Sequence, residues 1–234
     1  MLTICKVTGE FIELNKMFKK LISLLKRKKV QKTLDFFEPE NLAGITINYD
    51  GKVFNYDEIA LLVIDVQEEF CDPKHHEKRG TKHTVEVSER IQSIVPKFRK
   101  ANIPVYAIYY SENKIKDLSK IDFFKFTPAS NDTLIRKTAD SAFRGSNIKN
   151  ILQEDKKKLL LTCGFNLNAC VKRTVTDAKE HGFEVCLLDD LTGNDENHQK
   201  CFDFAKREQI RVETSDKILE IITQAKAQKP QPKL

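Results

Sequence analysis

The sequence predicts an α/β fold in three layers, with a mainly parallel central sheet flanked by helices. Three observations predict it. Ile59-Ala60-Leu61-Leu62-Val63-Ile64 is a continuous apolar run, as in a parallel strand covered on both faces. Shorter apolar runs recur at 103–110, 158–163 and 183–188. The stretches between several of them have helical periodicity, and strands alternating with helices build parallel sheets. With 234 residues, 40% hydrophobic and 32% charged, the chain can bury one sizeable core.

Taken in order, residues 10–29 read as an amphipathic helix. Phe11, Leu14, Phe18, Leu21 and Leu25 recur at three- and four-residue steps, and the basic run Lys26-Arg27-Lys28-Lys29 closes it. Residues 33–56 read as loops and a hairpin, with Asp50-Gly51 as its turn. After the strand at 59–64, a helix is expected near 85–101, kinked or divided by Pro96. A strand follows at 103–110, and 111–132 is irregular and polar. Thr133–Lys137 reads as a short strand, 146–153 as a short helix, and 158–163 as a strand. Cys170–His181 reads as a helix, 183–188 as a strand, 197–208 as a helix and 210–214 as the last strand. The expected organisation is a basic extension over 1–56, one domain over 57–223 and a disordered tail over 224–234.

The formal net charge is +6, and residues 1–56 hold ten Lys/Arg against six Asp/Glu. The domain proper is therefore nearly balanced, which argues against a nucleic-acid-binding face. No apolar run is long enough for a membrane span, and no signal-peptide pattern opens the chain. The six cysteines form no CxxC and no zinc-finger spacing, so a reduced, cytoplasmic compartment is expected.

In open parallel sheets, ligands bind beyond the carboxyl ends of the strands. Asp65, Lys137 and Cys170 all fall at such ends or just after them. Singly, Asp65 reads as a helix cap, Lys137 as a solvated lysine and Cys170 as a small buried residue. Asp189 and Asp190 read as turn formers, and His75 and His76 as loop residues without a metal. Together, three reactive groups on one sheet edge outweigh those readings. A thiol in the first turn of a helix also faces unpaired N–H groups, which predicts a lowered thiol pKa.

Three segments carry a family resemblance. They are Ala60 through Asp65 to Phe70, Ile135 through Lys137 to Ser146, and Gly164 through Cys170-Val171 with Thr174, Asp177 and Gly182 following. Asp190 and Val212–Asp216 agree with the same pattern. Together they resemble the isochorismatase-like cysteine hydrolases, a group that includes nicotinamidases and N-carbamoylsarcosine amidohydrolases. The resemblance covers residues 57–222. It implies a triad of Asp65, Lys137 and Cys170, and an oxyanion hole from the backbone N–H groups of Asn166 and Cys170. It also implies a cis peptide at Phe165–Asn166 and substrate contacts from Phe70, Phe143, Phe165 and Leu167. Nicotinamidases of the group bind a metal through histidines after the second sheet strand. Here Tyr109 to Lys114 contains none, so no metal and no cofactor are expected.

The expected activity is thiol-dependent hydrolysis of a C–N bond in a small amide, carbamoyl or ureido compound. The alternative is a catalytically silent scaffold or binding protein targeted by its N-terminal helix. The expected partners are a small-molecule substrate and a second copy of the chain in a homo-oligomer. The helix of residues 10–29 is the candidate for an anionic membrane surface.

Overall fold

The strand β3 (Ile59–Ile64) lies inside the large sheet, and every one of its residues is buried. In the computed structural model, residues 42–194 and 198–228 are described. The amphipathic segment 10–29 and the last residues of the tail lie outside them. Ahead of β3 stands the hairpin β1 (Thr46–Tyr49) and β2 (Lys52–Asn55). Asp50 and Gly51 both take positive φ, 53° and 75°, as a two-residue hairpin turn requires.

The remaining elements alternate. After β3 come α1 (Glu68–Cys71), α2 (Lys82–Lys100), β4 (Val105–Tyr110) and β5 (Thr133–Lys137). They are followed by α3 (Ala142–Gly145), α4 (Ile148–Glu154) and β6 (Leu159–Gly164). The chain closes with α5 (Lys172–Glu180), β7 (Glu184–Thr192), α6 (His198–Arg207), β8 (Arg211–Glu213) and α7 (Ser215–Ala227). The large sheet has the order β5-β4-β3-β6-β7-β8, and all its pairings are parallel. The chain leaves β3 in one direction and returns to β6 on its other side. The crevice between the carboxyl ends of β3 and β6 is thus the topological switch point, where such sheets bind ligands.

Alternate residues of β3 feed opposite layers, as the period of a strand demands. Leu61 and Val63 pack with Ile91, Val95 and Phe98 of α2 and Ile218 and Ile222 of α7. Ala60, Leu62 and Ile64 pack with Leu152 of α4 and with Val175 and Ala178 of α5. Each fully buried aliphatic side chain contributes about 1.5–3 kcal/mol of transfer free energy. The hairpin shares the first of these cores through Ile47, Tyr49 and Phe54. Among the described residues, no helix is long and apolar enough to cross a membrane.

Several elements differ from their sequence expectation. α2 starts earlier, because Thr81 caps it and accepts a hydrogen bond from Thr84 N. It also continues through Pro96, which sits on the exposed face, so the backbone carbonyl it frees faces water. α7 was not anticipated and runs past residue 224 to Ala227, anchored by the buried Ile218 and Ile222. β7 extends past Asp190, whose carboxylate accepts from Arg90 Nε at 2.6 Å, Ser215 N at 2.7 Å and Ser215 Oγ at 2.6 Å. Asp190 is therefore a clamp joining β7, α2 and α7 rather than a turn former.

Gly164 ends β6 with φ +116°, and a Cβ there would lie 1.9 Å from the Ile64 carbonyl oxygen. Phe165 N donates to that same oxygen at 2.8 Å, so the backbones cannot separate without losing the bond. Gly164→Ala is expected to destabilise the protein by about 3 kcal/mol or more. Denaturant unfolding checks this, and a loss under half that would mean the two strand ends yield easily.

Candidate active site

Asp65 follows β3 directly, with its amide donating to Ile108 O at 2.9 Å. Its φ is 51°, a left-handed conformation that Asp tolerates better than most residues but that still costs about 1–2 kcal/mol. The side chain is completely buried. Lys137 ends β5 and is also completely buried, in contrast to the solvated lysine that its residue type alone favours. Its ammonium has three partners for three protons: Asp65 Oδ2 at 2.8 Å, Ala139 O at 2.9 Å and Cys170 Sγ at 3.5 Å. The Asp65 contact is close but poorly directed. Neither Asp65 oxygen has a well-directed hydrogen bond from a described group.

Cys170 does not occupy the first turn of an α-helix. It lies in a π-helical turn over Leu167–Val171, where Val171 N reaches back to Asn166 O at 3.0 Å, and α5 begins only at Lys172. Wide turns of this kind recur at functional sites. The Phe165–Asn166 peptide just before the turn is cis.

The electrostatics reverse one expectation. Burial pushes the Cys170 thiol up to about 12, the Asp65 charge adds to this, and Lys137 only partly offsets it. The helix-terminus argument failed because it took no account of desolvation. Burial also raises the Asp65 carboxyl, which the Lys137 charge holds to about 6. Burial by itself would lower Lys137, but the charges of Asp65 and Cys170 raise it instead. Near neutral pH the site therefore holds a thiol, a carboxylate and an ammonium.

These groups adjoin a cavity of about 850 Å³, within the range of small-molecule sites. Cys170, Asn166 and Phe70 line it. Phe143, Phe165 and Leu167, expected as substrate contacts, are not in its wall. Phe143 packs against His181 and Phe183, Phe165 presses on Gly193, and Leu167 is fully buried in the core beside α5. The polar segments 72–81 and 111–132 supply wall residues instead, including Arg79, Glu112 and Asp122.

Two wall residues escaped the sequence reading. Tyr110 ends β4, so its position at a strand end was available as a signal. Gln67 lies inside the Asp65 segment, and its amide uses both ends. Oε1 accepts from Tyr110 N at 2.6 Å, while Nε2 donates to Tyr110 O at 3.1 Å and Asp122 Oδ1 at 2.7 Å. It fastens the loop 111–132 to the end of β3. Among the described residues, no three His, Cys, Asp or Glu side chains converge as a metal site.

A model of the isochorismatase domain matches residues 59–217, well over half of the chain. The chain belongs to the isochorismatase family. This isochorismatase-like hydrolase is similar to the secreted isochorismatase effector Isc1 of Verticillium dahliae. The two are 25% identical over 142 residues, 57% of this chain and 72% of the relative. Its structure resembles a cysteine hydrolase from Pseudomonas syringae, with a TM-score of 0.66 and 17% identity over 77% of this chain and 98% of that one. It also resembles the nicotinamidase PncA from Bacillus subtilis, with a TM-score of 0.59 and 20% identity over 66% and 98%. At these identities the solved structures establish a shared fold.

Of the buried cysteines Cys71, Cys163, Cys170 and Cys186, only Cys170 reaches the cavity. A small neutral alkylating agent is expected to modify Cys170 first among these four. Peptide mapping in which any of the other three reacts first would show that the cavity does not admit reagents to the thiol.

Proposed function

We propose that this isochorismatase-like hydrolase cleaves a C–N bond in a small amide, carbamoyl or ureido compound through a thioester on Cys170. The observation that carries the reading is the Lys137 ammonium held 2.8 Å from Asp65 Oδ2 and 3.5 Å from Cys170 Sγ at the base of an open cavity. A structural lysine needs no thiol and no cavity.

In this reading Asp65 is the general base and Cys170 the nucleophile. As Sγ bonds to the carbonyl carbon, the thiol proton passes to Asp65 and the carbonyl π electrons move onto oxygen. Backbone N–H groups of Asn166 and Cys170 stabilise that oxyanion. The tetrahedral species collapses, the C–N bond breaks, and Asp65 returns its proton to the departing nitrogen. Water, deprotonated by the regenerated Asp65 carboxylate, then adds to the thioester. The second collapse expels the sulfur, which takes up the proton, and releases the acid. Lys137 stays charged throughout. It lowers the cost of forming the thiolate and keeps the carboxylate in place. The high resting pKa of Cys170 fits proton transfer concerted with attack, without a standing thiolate.

Cys170→Ala, Asp65→Asn and Lys137→Ala are each expected to lower kcat by about a thousandfold or more, with double variants losing little more. Wild-type kcat/KM on a hydrolysed amide should fall as pH drops through about 6, because protonated Asp65 cannot accept the thiol proton. The raised Lys137 keeps its charge above that range. Near-normal turnover by Lys137→Ala, or a flat profile from pH 5 to 7, would remove the assigned roles.

A further inference from the structure

The cavity wall is not charge-neutral. It carries five carboxylates against two cations, Arg79 and Lys120. Arg79 is already occupied, with Nη1 2.8 Å from Glu69 Oε1 and Nη2 3.7 Å from Glu77 Oε2. That trio is net negative. Lys120 lies on an exposed turn. Of the remaining carboxylates, Asp122 is held by Gln67 and Asp140 pairs with Arg173 at 2.9 Å. Among the described residues the Glu112 carboxylate forms no ion pair, and Arg136 Nη1 donates to the Glu112 backbone carbonyl at 3.2 Å instead.

An aromatic ring stands with these carboxylates. Lys137 Nζ lies 3.5 Å from Cys170 Sγ and 5.3 Å from the centre of the Tyr110 ring, so the ring stands within a small molecule's length of the thiol. Tyr110, Glu112 and Glu69 line the same cavity. An aromatic ring beside carboxylates is how proteins recognise ammonium and guanidinium groups. The wall already holds one such contact, Arg79 at 5.7 Å from the Phe70 ring centre.

We propose that the substrate is a cationic amide, whose ammonium or guanidinium group is met by the wall carboxylates, Glu112 first among them, while its carbonyl meets Cys170. The inference rests on the hydrolase reading for the word amide, and on the wall chemistry alone for the charge. Anionic amides are excluded by the same carboxylates.

The test compares two thiol reagents of similar size on the full-length protein, trimethylammonium-ethyl and sulfonatoethyl methanethiosulfonate. Modification of Cys170 is followed by mass spectrometry. Relative to their rates on a free cysteine peptide, the cationic reagent is expected to be favoured by about tenfold. Glu112→Gln should reduce that preference about threefold, and added salt should reduce it in the wild type. Preference for the anionic reagent would overturn the proposal, as would a ratio unmoved by both salt and Glu112→Gln. Matched cationic, neutral and anionic amides form the second arm, with the highest kcat/KM expected for the cation. Hydrolysis fastest on the anion would overturn the charge assignment. No turnover of any amide, with the labelling preference intact, would remove the amide reading and leave the cation site standing.

Discussion

The buried Lys137 ammonium is the interaction on which the rest of the site depends. It joins the end of β5 to the carboxylate after β3 and the thiol after β6, and it does so with no exposure to solvent. Burying such an ion pair rarely adds net stability, and removing one partner costs about 3–5 kcal/mol unless the other group changes its protonation. A core built only for stability would place apolar side chains here. The pair persists beside a strained Asp65 backbone, which is the pattern of a site kept for chemistry at some expense in stability.

The sheet order explains how three distant residues reach one another. Because β6 returns to the side of β3 opposite β4, the carboxyl ends of β3 and β6 are adjacent, and β5 lies two strands from β3. The long lysine side chain spans the gap that β4 leaves. Tyr110, at the end of β4, forms the floor beneath the ammonium, with its ring centre 5.3 Å from Nζ. Gln67 then ties Tyr110 and the loop beyond it to the segment that follows Asp65.

Features governed by local sequence were legible. The apolar run of β3, the Asp50-Gly51 turn and the position of Thr133–Lys137 depend on neighbouring residues, and the structure agrees with each. The segments carrying Asp65, Lys137 and Cys170 were legible through their order along the chain. Features set by packing were not. Nothing near Lys137 in sequence announces complete burial, which comes from strands far away. The thiol pKa was misjudged in sign because helix-terminus effects are local while desolvation is not. Phe143, Phe165 and Leu167 flank the right motifs, but their side chains turn toward the core. α7 was missed because its anchors, Ile218 and Ile222, make sense only once the sheet face they cover exists. The acidic wall draws Glu69 from α1, Asp140 from the turn after β5 and its other carboxylates from two segments without regular structure, so no single periodicity could reveal it.

The most direct test of the coupled Asp65–Lys137–Cys170 unit is the pH dependence of Cys170 alkylation in the wild type and in Asp65→Asn. Interacting groups lose protons as a set, and the thiolate form becomes available once the pair has given up its first proton. The wild-type rate should therefore rise through about pH 6, the range of Asp65, and then level off. Asp65→Asn should abolish that step. A single rise in the ordinary thiol range in both proteins would show that the carboxylate and the thiol do not act together.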